Sequence, residues 1–131
     1  MKLYVINRVR TNNFNDAKIG EKIRGLWQEI AMMPELANET KYGIYSDYES
    51  NYEGDYTCSI ATEKEVSTAV IFDTDGQHYQ KFPVTDNDVT GTWAMIWQLE
   101  SKGQLNRTYT FDFERYTVDG QIEIWIAVNV K

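Results

Sequence analysis

The 131-residue sequence has one cysteine, Cys58, and one histidine, His78. A single cysteine excludes an intramolecular disulfide and a multi-cysteine zinc site. Cys58, flanked by Thr57 and Ser59 in a strand-like run, reads as a small core residue. Ser/His/Asp catalysis would have to run through His78, which stands beside Gln77 with no suggestive serine pattern and reads as a surface residue at a strand start. The eight glycines are scattered singly, so no phosphate-cradling loop is present. No two Lys/Arg residues are adjacent and the formal net charge is -7. An acidic surface of this kind repels phosphates, so neither direct nucleic-acid binding nor attachment to an anionic membrane is expected. The N-terminal apolar run Leu3-Tyr4-Val5-Ile6 is broken by Asn7 and Arg8. It is too short for a signal peptide or a membrane helix, which makes the cytoplasm the expected location. No metal or cofactor is expected: Asp73, Asp75, Asp86 and Asp88 occupy turn and helix-cap positions, which explains them without calcium. Asn38-Glu39-Thr40 and Asn106-Arg107-Thr108 are formal glycosylation triplets, incidental without a secretory signal.

Aromatic residues are what the chain has in quantity: nine Tyr, five Phe and four Trp, 14% of the sequence. With 42% hydrophobic and 25% charged residues the composition is globular. A chain of this length forms one domain, 1–131, and buries roughly two-thirds of its unfolded surface.

Residues 3–9 read as a strand, and Asn12, Asn13, Asn15 and Asp16 as a turn with a helix N-cap signal. Ile19, Ile23, Leu26, Trp27 and Ile30 then form one apolar helical stripe opposite Lys18, Glu21 and Arg24. Pro34 closes that helix. Residues 41–48 and 55–62 read as strands around a hairpin. Val70-Ile71-Phe72 is a short apolar run stopped by Asp73-Thr74-Asp75-Gly76. His78 to Val84 resumes as a strand, with Pro83 favouring an edge. Thr85 and Asp86 supply an N-cap signal for a second helix striped by Val89, Trp93, Ile96 and Trp97 and stopped at Lys102-Gly103. Residues 108–116 and 121–130 read as strands joined at Asp119-Gly120.

The pattern strand, helix, strand, strand therefore occurs twice, in residues 3–62 and 78–130. Leu26-Trp27-Gln28 recurs as Ile96-Trp97-Gln98, and Tyr48-Glu49 as Phe113-Glu114. Tyr56-Thr-Cys-Ser-Ile-Ala aligns with Ile122-Glu-Ile-Trp-Ile-Ala. Neither half would bury a core alone. The expected fold is α+β: a pseudo-symmetric antiparallel sheet with two helices on one face and a groove where the helices meet it.

The stretch Phe111-Asp112-Phe113-Glu114-Arg115-Tyr116 alternates aromatic and acidic residues with period two. It either places two carboxylates in water or holds at least one beside aromatic groups. A carboxylate walled by Trp and Tyr with no basic partner is suited to a cation from outside, since aromatic faces add cation–π attraction. The competing reading is that Trp27, Trp93 and Trp97 fill a core and Glu114 pairs with a nearby Lys or Arg.

These motifs resemble the GyrI-like family, the AraC-type effector-binding domain. The resemblance is carried by Ile96-Trp97, by Asp112-Phe113-Glu114-Arg115-Tyr116 and by Ile122-Glu123-Ile124-Trp125-Ile126-Ala127-Val128, and it spans nearly the whole chain. Ala127 departs from the proline usual in that family before the final valine, a difference read as one of strand geometry. The resemblance implies binding of hydrophobic, often cationic, small molecules between helices and sheet, with Glu114 as the acidic pocket residue and Trp97 as the helix aromatic. Strand and helix facing add Tyr45, Trp93 and Trp125 as lining, and Trp27 and Tyr116 complete the expected walls. With no room for a DNA-binding domain, the chain is similar to the stand-alone binders of integron cassettes, and a separate regulatory protein could be its partner. Two other readings remain open: a hydrolase of reactive ligands with Glu114 as general base, and a protein-interaction module.

Overall fold

The helix stripes account for where each helix sits. Helix α1 (Ile19–Ala31) buries Leu26 and Ile30, which pack with Tyr56, Cys58 and Ile60 of the sheet. Helix α2 (Val89–Ser101) buries Ile96 against Phe82, Ile124 and Ile126. Both helices thus lie on one face of the sheet, as the apolar spacing predicts. The computed structural model describes residues 1–130.

The strands are β1 (Lys2–Thr11), β2 (Lys41–Ser46), β3 (Tyr56–Thr62), β4 (Ile71–Asp73), β5 (Tyr79–Pro83), β6 (Phe111–Tyr116) and β7 (Ile122–Ala127). They form one antiparallel sheet in the order β4-β1-β3-β2-β6-β7-β5. The order 1-3-2 from one side meets 6-7-5 from the other, so the duplication in sequence is a pseudo-two-fold in space, closed by the β2–β6 pairing. Pro83 ends an edge strand, where its missing N–H leaves no gap in a ladder.

The sheet is buried on both faces. Away from the helices, Leu3, Val5, Tyr42, Ile44, Phe111 and Phe113 form a second core, with Met1, Val70 and Phe72 packed against it. The alternation in β6 therefore separates two interiors rather than core from water.

Helix and turn chemistry departs from the expectation at two places. Asn12 and Asp16 build the turn before α1, accepting backbone N–H groups of Phe14, Asn15 and Lys18, but the N-cap position itself is Lys18, which provides no side-chain cap. In α2 the cap is Asp88, whose Oδ1 accepts from Gly91 N at 3.0 Å. Thr85 and Asp86 lie three and two residues too early, because Asp86 and Asn87 adopt positive φ and direct the chain into the helix only at Asp88. Asp88→Ala should lower stability by about 1 kcal/mol, the usual worth of such a cap, measured by thermal or urea unfolding. The stop at Gly103, with φ +71, is as expected.

Candidate functional site

The two ladders around the centre of the sheet decide what faces the helices. Tyr45 of β2 pairs with Cys58 of β3, and Glu114 of β6 pairs with Ile124 of β7. Cys58 and Ile124 are equivalent in the repeat, so the counterpart of Glu114 is Tyr45. The sequence alignment of Glu114 with Glu49 is corrected accordingly: β2 ends at Ser46, and Glu49 is exposed in the hairpin beyond it. A tyrosine and a glutamate thus occupy equivalent places on the helix-facing side, and they meet across the pseudo-axis.

Glu114 is only 5% exposed. Its Oε2 accepts from Tyr45 Oη at 2.8 Å and from Trp93 Nε1 at 2.6 Å, and its Oε1 from Tyr116 Oη at 2.5 Å. All three donors are neutral, and Glu114 makes no ion pair among the described residues. Burial holds its carboxyl above the ordinary glutamate range, the donors offsetting part of that. Burial and the facing charge of Glu114 raise the phenols of Tyr45 and Tyr116 in turn, so these remain donors.

Around this carboxylate lies a cavity of about 480 Å³. Helix α1 contributes Ile23 and Trp27; α2 contributes Val89, Trp93 and Trp97; the sheet contributes Tyr45, Tyr56 and Tyr116. Trp27 stands edge-on to Tyr116 at 5.0 Å, and Trp93 edge-on to Tyr45 at 5.4 Å. At the mouth Trp97 stacks on Tyr52 at 5.0 Å, with Phe14 5.9 Å away. The indole that reaches Glu114 is thus that of Trp93, while Trp97 forms the outer wall.

Of the residues expected from the sequence, Glu114, Trp27, Trp93, Trp97, Tyr45 and Tyr116 come together here. Trp125 does not. It is paired with Phe113 in the β6–β7 ladder and packs on that residue at 5.0 Å, with Lys81 Nζ 4.0 Å over its ring. Period two sends Ile124 and Ile126 toward α2 and Trp125 to the opposite face.

Sequence reasoning missed the tyrosines of the 48–56 hairpin and, above all, Arg107. Its side chain is 1% exposed and lines the cavity, but its charge is directed elsewhere: Nη2 lies 2.8 Å from Asp112 and Nη1 3.3 Å from Glu100. Asp112, fully buried, also accepts from Tyr48 Oη at 2.6 Å and from Ala127 N at 2.7 Å. Ala127 therefore matters beyond strand geometry, since a proline there would offer Asp112 no N–H. The two acids of the alternating stretch are both withdrawn from water, by different means: Asp112 is neutralised by an arginine, and Glu114 is held by neutral groups only. No periodic pattern marks this pair, because Arg107 lies outside β6, five residues before the buried aspartate.

Other reactive groups stand apart from this chemistry. Burial, with Glu114's charge second, pushes the Cys58 thiol up to about 12, which keeps it protonated. His78 is exposed at the start of β5, outside the cavity lining. No group of three His, Cys, Asp or Glu able to hold a metal exists among the described residues, and no described helix is long and apolar enough to cross a membrane.

Two equivalent halves with an aromatic cavity between their helices define the class: a duplicated α+β domain with a cavity of ligand size. The chain belongs to the integron-associated effector binding protein family, which matches residues 4–128. Its fold is similar to the crystal structure of an integron cassette protein from the mobile metagenome of Vibrio cholerae, at 25% identity and a TM-score of 0.80, covering 98% of this chain and 90% of that one. Among curated proteins no sequence matches. The family's description is of binding rather than turnover, and it points to a small-molecule effector.

Proposed function

We propose that this protein binds hydrophobic cations in the cavity between its helices, with Glu114 as the counter-charge and Trp27, Trp93, Trp97, Tyr45 and Tyr116 as the walls. The observation that carries the reading is the state of Glu114. An ionised group so deeply buried is costly unless compensated by opposite charge. The protein surrounds it with neutral hydroxyl and indole donors and leaves the full charge to be met from outside. Aromatic faces strengthen such an arrangement by about 0.5–2 kcal/mol each, because their quadrupoles attract cations. The GyrI-like resemblance of the same motifs agrees with it. Trp125 is no part of this proposal.

Titrating a fluorescent amphipathic cation against intrinsic tryptophan emission tests it. Glu114→Gln should weaken binding by at least about fivefold, the scale of one charge-assisted contact, about 1 kcal/mol. Equal affinities for variant and parent would remove Glu114 from the site. The pH dependence has a definite sign. The folded protein holds the Glu114 proton more tightly than the unfolded chain, so ionising it costs stability as pH rises from about 4.5 through the raised folded value. A bound cation offsets that cost. Affinity should therefore fall in the parent on acidification below the raised folded value, where Glu114 takes up its proton, and stay level in Glu114→Gln.

A further inference from the structure

Gly43 lies in β2, one of the two central strands of the sheet, directly opposite Glu114 in the β2–β6 ladder. A glycine inside a strand weakens it, since it adds backbone entropy and packs no side chain, and its presence often marks a close approach. No left-handed backbone requires it here, because Gly43 is absent from the positive-φ positions. Space explains it instead. A Cβ at residue 43 would lie 3.5 Å from Glu114 Oε1 and 3.7 Å from the Trp27 ring, with no other heavy atom within 4 Å. These are ordinary contact distances, so alanine would fit the fold while filling the gap between that oxygen and that ring.

An ionised carboxylate offers about four acceptor positions. Three on Glu114 are occupied: two on Oε2, by Tyr45 and Trp93, and one on Oε1, by Tyr116. The fourth is on Oε1, the oxygen that a Cβ at residue 43 would touch, with the edge of the Trp27 ring on the other side of that space.

We propose that Gly43 is a specificity-determining residue that keeps this fourth position open for one N–H of a protonated amine, seated between Glu114 Oε1 and Trp27. The ligand class is thereby narrowed from hydrophobic cations in general to primary, secondary or tertiary ammonium groups carried on an apolar body. A quaternary ammonium brings the same charge without a donor, and leaves the position empty. The inference rests on the cation-binding reading above and adds the hydrogen-bond requirement to it.

Three probes of one shape separate charge from donor: 1-(dimethylaminomethyl)naphthalene, protonated at neutral pH, its trimethylammonium counterpart, and neutral 1-neopentylnaphthalene. Their affinities are measured by calorimetry for the parent, Gly43→Ala and Glu114→Gln, with thermal unfolding of each. In the parent the protonated amine should bind at least tenfold more tightly than the quaternary ion, and the neutral compound most weakly. Gly43→Ala should retain the melting temperature within a few degrees, lose at least tenfold for the amine, and bring amine and quaternary ion to similar affinity. Equal affinities of amine and quaternary ion in the parent overturn the inference, and need no variant to be folded. So does an amine affinity in folded Gly43→Ala within threefold of the parent. If Glu114→Gln weakens both cations while either of those results holds, the cation site stands and only the role of Gly43 falls. If all three probes bind the parent alike, or none binds, both readings fall together.

Discussion

Arg107→Met will destabilise the protein by about 3–5 kcal/mol, because it strands a fully buried aspartate. The methionine matches the arginine stem in length but offers Asp112 no donor. Tyr48 Oη and Ala127 N remain in place at 2.6 and 2.7 Å, yet neither carries charge, and the carboxylate loses the one cation that faces it. The effect reaches further than a single pair. Arg107 also holds Glu100 at the end of α2, and its guanidinium lies 4.2 Å over the Tyr109 ring. Burial alone disfavours the guanidinium charge; Asp112 and the surrounding tyrosines outweigh that and hold it protonated. Urea unfolding followed by circular dichroism gives the change directly. Adding Asp112→Asn to Arg107→Met should recover a large part of the loss, since the amide can still accept from Ala127 N without a charge to bury. If the double variant is as unstable as Arg107→Met alone, the loss comes from packing and not from the stranded charge.

Phe113→Ala should cost a comparable amount, about 3–5 kcal/mol, by a different route. Phe113 is fully buried on the side of the sheet away from the cavity. Its ring meets those of Tyr42 at 5.6 Å, Tyr79 at 5.2 Å and Trp125 at 5.0 Å. Truncation removes the transfer energy of an aromatic side chain and leaves a void that β-sheet backbone on one side cannot collapse to fill. The comparison with Phe14 is informative. Phe14 is 56% exposed at the cavity mouth, so Phe14→Ala should change stability by no more than about 0.5 kcal/mol. Ligand affinity should move in the opposite sense: measured on folded protein, it should be kept in Phe113→Ala and lowered in Phe14→Ala. Unfolding curves and fluorescence titrations on the same two variants check both halves of the statement.

The order and type of elements were legible because each is a local matter. The apolar spacing of Ile19 to Ile30 and of Val89 to Trp97 admits only helices facing one way. The Asp-Gly hairpin at 119–120 and the proline at 83 carry their own geometry, and the repeat follows from laying one half over the other. Gly120 indeed has φ +91, the conformation that such a turn requires. The helix caps were less legible: Thr85, Asp86 and Asp88 are all competent cap residues, and only the positive φ at Asp86 and Asn87 selects the last.

The lining of the cavity was legible in part, and the misses share one cause. Facing within a strand is local, but which strand face looks at which interior depends on register with a neighbour. Period two puts Glu114 and Tyr116 together from sequence alone. It could not put Trp125 on the far side, because that depends on Trp125 pairing with Phe113. It could not make Tyr45 the counterpart of Glu114 for the same reason, and similarity of residue type favoured Glu49 instead. Arg107 sits outside the regular strand, and nothing local aims its guanidinium at Asp112.

By itself, then, the sequence determined a duplicated α+β chain whose helices present tryptophans and whose sixth strand alternates acids with aromatic rings. Only the tertiary structure decided what becomes of those acids. Asp112 and Glu114 are two residues apart and point the same way, so no local rule distinguishes them. One lies within reach of Arg107 and the other beneath Tyr45, Trp93 and Tyr116. Solvation and charge pairing are properties of the assembled surroundings, and it is those surroundings that make one carboxylate an anchor and leave the other with its charge unmet.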